Sequence, residues 1–265
     1  MFKPLTYQST GQGTSLVFIH GWGLNSAVWQ PLKERLSSQY KIITIDLPGF
    51  GTNVNYSTND YSIENICQLI TSTIKQPAIY IGWSLGGLIA SYITLHYSQQ
   101  VKGLITITSS PYFMEIKKNN QIIWHGIKSK ILQHFYQQLD NNIEKTLINF
   151  LKIQAMGSPT IRQDIKQLQS LILQSPTPHQ QALANSLALL ETIDLRSNLQ
   201  QISVPFLRLY GRLDTLVPKA SIPLINQIAP QSDYYIFTKA SHAPFISHLD
   251  EFQHQLERWL IQYFP

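Results

Sequence analysis

The sequence predicts an α/β fold: a mostly parallel central sheet flanked by helices on both faces and interrupted by a helical insertion. Three observations carry this reading. Short apolar runs alternate with helical patterns over the first 110 residues, the runs are nearly continuous in their apolar content, and the alternation stops after Pro111 and resumes near Val204. Strand–helix–strand alternation requires parallel pairing through right-handed crossovers, and continuous apolar strands require a sheet covered on both sides.

The elements follow in order. "SLVFIH" (15–20), "KIITID" (41–46), "AIYIGW" (78–83) and "VKGLITI" (101–107) are β-branched, compact and bounded by turn residues, so each is predicted to be a strand. "AVWQPLKERLSS", "SIENICQLITSTI" and "LGGLIASYITLHY" between them carry helical spacing. From Tyr112 to Asn185 no strand is expected. "IKSKILQHFYQQL", "NIEKTLINFLKIQAM" and "TIRQDIKQLQSLILQ" place apolar residues three and four apart, as amphipathic helices do. The prolines of "SPTPHQQ" are expected to close this segment. "VPFLRLYG" (204–211) and "DYYIFT" (233–238) restore the strand pattern, and "LDEFQHQLERWLIQY" makes a final helix. The expected organisation is therefore a core of residues 1–111 and 186–265 with a lid over 112–185. Sites in open α/β sheets lie outside the carboxyl ends of the strands, where such a lid would sit.

At 265 residues with 43% hydrophobic content, the chain has enough material for one large core. Its single cysteine, Cys67, excludes an internal disulfide and falls in a helical run, so an inert buried thiol is expected. The first residues show no apolar leader, and no run of about 18 apolar residues suggests a membrane span. A cytoplasmic, monomeric protein with no cofactor or metal is the expectation. The net charge of +5 is unevenly placed: eight Lys/Arg against four Asp/Glu fall between Tyr112 and Asn185, leaving the rest near neutral. Such a segment is either a solvated helical face or a surface for an acidic partner.

The chemistry starts at Gly82-Trp83-Ser84-Leu85-Gly86, a G-x-S-x-G pattern directly after a predicted strand and opening a helix. A sharp strand-to-helix turn lifts the serine hydroxyl and leaves no room for side chains at the two glycines. The new helix directs its N–H groups and positive end at developing negative charge. Trp83 is expected to pack beneath the turn. A serine needs a base and the base an orienting acid, in the chain order Ser, Asp or Glu, His for this arrangement. Asp214 in "LYGRLDTLVP" and His242 in "FTKASHAPF" both follow predicted strands, on the same sheet edge as Ser84.

Other candidates are weaker. His96, His134 and His254 fall on helix patterns, and His125 and His179 lie in the insertion. His248, the one serious competitor, starts the last helix and has the position of a turn residue. Asp194 follows no strand. The amide of Leu85 is expected to donate to an oxyanion, with a second donor from the loop "HGWG" (20–23), assigned to the Trp22 amide. His20 in that loop precedes the nucleophile and is expected to brace the loop. Serine at position 84 sets aside relatives that use aspartate there, such as dehalogenases and epoxide hydrolases. Ester hydrolysis through an acyl-enzyme is implied.

On the stretches "HGWGLNSAVW", "DLPGFG", "GWSLGGL", "FLRLYGRLDTLVP" and "KASHAPFISH", the chain resembles the α/β-hydrolase superfamily along its whole length. Within it, "HGWGLN" and "GWSLGG" together are similar to the esterases of biotin synthesis that remove the methyl group from pimeloyl-acyl-carrier-protein methyl ester. "FL-x-x-Q-x-MG" at 150–157 and "RQD" at 162–164 extend the match into the insertion. The resemblance implies a triad of Ser84, Asp214 and His242. It implies substrate contacts from Trp22, Ser84, Leu85, His242 and the stretch Phe150, Leu151, Lys152, Ile153 and Gln154. It also implies an acidic acyl-carrier protein docking on Lys145, Arg162 and Lys166. Asn149 departs from this pattern, standing where a basic residue is expected, and lysines replace some arginines, giving point charges in place of bidentate forks. A basic lid over a hydrolytic site argues against nucleic acid. Two other readings stay open: a general short-chain esterase or C–C bond hydrolase, and a hydrolase-fold protein that only binds a small ligand.

Overall fold

The computed structural model describes residues 3–172 and 175–265. Among them seven strands form one sheet in the order β1-β3-β2-β4-β5-β8-β9. The strands are β1 (Tyr7–Thr10), β2 (Ser15–Ile19), β3 (Lys41–Ile45), β4 (Ala78–Trp83), β5 (Val101–Ile107), β8 (Phe206–Gly211) and β9 (Asp233–Phe237). All neighbours pair in parallel except β1, which runs antiparallel to β3. Each predicted sheet strand is present with its ends shifted by at most two residues. β1 was not predicted: "YQST" is polar and mostly exposed, as the outermost strand of a sheet can be.

Helices α1 (Gln30–Leu36), α2 (Ile63–Thr73), α3 (Leu85–His96), α8 (Ile222–Ile228), α9 (Pro244–Ser247) and α10 (Leu249–Tyr263) cover the sheet. Two apolar clusters result. One joins Val17, Ile19 and Tyr80 with α2 and α3, and the other joins Leu16, Phe18 and Ile81 with α1 and α10. Alternate residues of one strand thus enter opposite cores, which is why β4 is buried at all six positions. Cys67 lies fully buried in the first cluster, and burial together with nearby Glu64 pushes its thiol well up, into an inert form.

Between β5 and β8 the chain forms β6 (Ile116–Lys118), β7 (Gln121–Trp124) and helices α4 (Ser129–Asn141), α5 (Ile143–Ala155), α6 (Ile161–Ile172) and α7 (Gln180–Thr192). The expectation of a strand-free insertion is therefore corrected: β6 and β7 pair as an antiparallel hairpin. Asn119 and Asn120 form its turn with φ of 50° and 61°, the left-handed pair that a two-residue hairpin turn requires. Strands of three and four residues, IKK and QIIW, are too short to show an alternating apolar pattern. The insertion's expected end at Asn185 also shifts, because it falls inside α7. Pro176 and Pro178 precede that helix and do not close the segment. Residues 173 and 174, the end of the third predicted helix, lie outside the described residues.

Candidate active site

Ser84 stands between β4, the middle strand of the sheet, and α3. Its backbone is strained, with φ 54° and ψ −118°. The glycines on either side permit the turn. A Cβ at Gly82 would meet the backbone of Gly86 and Gly87, and one at Gly86 would meet the carbonyl of Ile19. The elbow is held by its own main chain: Ser84 N donates to Ile107 O at 2.9 Å, and Ser109 Oγ donates to Ser84 O at 2.7 Å.

Asp214 follows β8 and His242 follows β9, both buried. His242 Nδ1 lies 2.8 Å from Asp214 Oδ2, while Asp214 Oδ1 accepts from Leu216 N at 2.8 Å and Val217 N at 3.1 Å. The carboxylate is thus fixed by two amides on one oxygen and by the imidazole on the other. That pairing selects the tautomer with the proton on Nδ1, leaving Nε2 as the basic lone pair. Nε2 is buried and has no hydrogen-bond partner among the described residues. No hydrogen bond joins it to Ser84 Oγ, a contact that tightens in substrate complexes of such sites.

The peptide of His242 is also clamped. Its carbonyl accepts from Trp83 Nε1 at 2.8 Å and from Thr108 Oγ1 at 2.6 Å, and its N–H donates to Gln154 O at 3.1 Å. Ser241 Oγ donates to Met156 O at 2.7 Å. Trp83, expected only to pack, therefore also holds the loop of the base. Thr108, Ser241 and the carbonyls of Gln154 and Met156 had no signal in the sequence, because their roles depend on which loops meet above β4.

The loop after β2 lies against the nucleophile: a Cβ at Gly21 would sit 3.4 Å from Ser84 Cβ. Leu85 is the first residue of α3, so its N–H has no intrahelical acceptor. Trp22 is fully buried, donates from its indole to Leu183 O at 2.9 Å, and meets Phe150 edge-on at 4.7 Å between ring centroids. His20 braces this loop as expected, with Nδ1 2.8 Å from Gly21 O and Nε2 accepting from Leu47 N at 3.1 Å. Burial lowers its pKa below the ordinary 6.5 despite the carboxylate of Asp46 nearby, so the ring stays neutral. His248 pairs with Ser247 Oγ, and Asp194 is bound by Arg196; neither is joined to the His242–Asp214 pair.

An apolar slot opens beside Ser84, lined by Phe113, Ile127, Leu132, Phe135, Phe150 and Leu187 among others. The stretch 150–154 divides across it. Phe150 lines the slot, Leu151 enters the core that also holds Phe245 and Ile246, Lys152 is exposed, and Ile153 is half-buried. Gln154 is fully buried, and both ends of its side-chain amide lack partners among the described residues. Of the five residues expected to contact substrate, Lys152 is the one whose place on α5 turns it to solvent. Lys145, Arg162 and Lys166 are exposed and take part in no ion pair among the described residues.

A strained serine after the middle strand, with a buried His–Asp pair from the loops after β8 and β9, places the molecule in a fold class that sequence comparison identifies. The family model described as "alpha/beta hydrolase fold" matches residues 14–249, and the chain belongs to this family. More narrowly, it is 45% identical over 260 residues to a pimeloyl-[acyl-carrier protein] methyl ester esterase of Aliivibrio salmonicida, covering 98% of this chain and 97% of that one. It is 46% identical to the protein of the same name from Shewanella woodyi, covering 98% and 99%. An esterase of Exiguobacterium antarcticum shares the fold, with a TM-score of 0.81 at 20% identity over 97% of this chain and 95% of that one.

Proposed function

We propose that the chain is a serine carboxylesterase that hydrolyses the methyl ester of a pimeloyl group borne on acyl-carrier protein. The observation that carries the chemistry is the buried His242–Asp214 pair, 2.8 Å apart, with Nε2 left unpaired, together with a strained Ser84 at the head of α3. Ser84 Oγ attacks the ester carbonyl while His242 Nε2 takes its proton, and Asp214 stabilises the imidazolium. The amides of Leu85 and Trp22 hold the oxyanion. Methanol leaves with the proton from Nε2. Water, activated by the same nitrogen, then attacks the acyl-enzyme and releases the free carboxylate and Ser84.

The substrate assignment rests on the two relatives named above; the lining beside Ser84 is apolar, the character a methylene chain requires. Exposed Lys145, Arg162 and Lys166 would receive the acidic carrier on a lid formed by the insertion between β5 and β8. The deciding experiment compares hydrolysis of carrier-bound pimeloyl methyl ester with that of free dimethyl pimelate and a series of chain lengths. Preference for the carrier-bound pimeloyl ester is expected. Equal turnover of all short esters would overturn the substrate, and turnover by Ser84→Ala would overturn the mechanism.

A further inference from the structure

The β6–β7 hairpin is anchored at its root and bare at its tip. At the root, Trp124 is buried and donates to Tyr112 O at 2.8 Å, and the Arg196 guanidinium covers the rings of Tyr112 and Trp124 at 4.8 and 5.0 Å. At the tip, Ile122 is 41% and Ile123 48% exposed. Successive strand residues point to opposite faces, so the ribbon shows isoleucine to solvent on both sides. Two-stranded ribbons have little stability of their own, and this one leaves its best apolar area uncovered.

The charge around it is one-sided. Between Tyr112 and Ile131 stand Lys117, Lys118, Lys128 and Lys130 against a single acid, Glu115. Glu115 lies 3.4 Å from Lys117, and the other three lysines have no ion-pair partner among the described residues. Lys128 and Lys130 are at the amino end of α4, where positive charge opposes the helix dipole and costs stability. Exposed Ile131 lies beside them. A surface that combines bare isoleucines with unneutralised lysines matches a partner with an acidic rim and an apolar centre.

The position relates this surface to the slot. Phe113 and Ile127, flanking the hairpin, both line the slot beside Ser84. Lys118 stands five positions after Phe113, a span of at most about 17 Å, which the extended prosthetic arm of a carrier protein could bridge.

We infer that the β6–β7 hairpin and the first turn of α4 form a second docking surface for the acidic carrier protein, distinct from Lys145, Arg162 and Lys166. The inference rests on the proposed carrier-bound substrate. Its ligand is the carrier's acidic, apolar-centred face, with Ile122 and Ile123 seated against it and the four lysines around them.

The test uses the full chain with two variants, Lys117→Glu/Lys118→Glu and Ile122→Ser/Ile123→Ser, neither of which touches the slot. Titration with holo-carrier protein should show at least about tenfold weaker binding for each, with the salt dependence of the wild type reduced in the first. KM for the carrier-bound ester should rise in parallel, while kcat and turnover of free dimethyl pimelate stay at wild-type values. Unchanged carrier binding in both variants overturns the surface. So does a wild type that fails to bind the carrier, which would remove the parent reading as well. A wild type that binds carrier through the hairpin yet leaves the ester intact overturns the esterase reading alone. Sedimentation with anionic phospholipid vesicles completes the set: hairpin-dependent vesicle binding with unaltered carrier binding assigns the patch to a membrane and overturns the proposal.

Discussion

Thr108 Oγ1 donates to the carbonyl of His242 at 2.6 Å from a backbone with φ of 41°. A β-branched residue in the left-handed region is a true outlier, and this one holds the peptide of the proposed base. Replacing Thr108 with Val keeps the shape and removes the donor, leaving Trp83 Nε1 as the remaining side-chain donor to that carbonyl. We expect kcat for a p-nitrophenyl ester to fall about tenfold with KM unchanged, and Thr108→Ser to restore it. Thr108→Gly should relieve the strain, holding or raising the melting temperature while kcat still falls. A parallel loss of stability and activity would mark a merely structural residue.

Ser84→Ala should abolish ester hydrolysis, by about 10⁴-fold or more, with an unchanged melting curve. The variant should still bind carrier-bound ester, measured by titration. Residual turnover within tenfold of wild type would exclude the serine mechanism.

Asp214→Asn addresses the tautomer. The amide retains an acceptor for Leu216 N and Val217 N but can donate to Nδ1, turning the basic lone pair away from the reacting face. A fall of about 10⁴ in kcat is expected, with binding of substrate little altered. Single-turnover kinetics would check it, and a loss under tenfold would refute the orienting role.

His20 gives a pH prediction for stability. Its folded pKa lies below the ordinary 6.5 because burial disfavours the charged ring. As pH falls through 6.5 the unfolded chain takes up a proton that the folded protein refuses, so stability drops below that pH, by at most about 1.4 kcal/mol per pH unit from this group. Denaturant midpoints measured from pH 7.5 to 5 should decline less steeply in His20→Gln, which can still accept from Leu47 N. Identical slopes would remove His20 as the source.

What the sequence revealed was local. "YIGWSLGG" contains its strand, its turn and its helix start within a few residues, and the chain order of Asp214 and His242 follows from strands that could be read one at a time. Thr108 could not be found that way. Its role arises because the end of β5 lies beside the loop after β9, 134 residues further on. The hairpin escaped for the opposite reason: its turn chemistry is visible in "NNQ", yet its strands bury too little to show a period. A matching stretch of sequence names Lys152 along with its neighbours, but that it faces water depends on the rotation of α5.

The end of α5 has a consequence for how such a molecule could diversify. Its last turn and the residues just after it lend two carbonyls, of Gln154 and Met156, to the loop that carries His242. The insertion is therefore two things joined end to end: a buttress that the base leans on, and an outer portion of hairpin and α4 free of that duty. Exchanging the whole insertion for a foreign one would unseat the base, so a graft that keeps 154–157 should retain chemistry that a clean swap loses. New substrates would be won by redrawing the outer portion, with the buttress left alone.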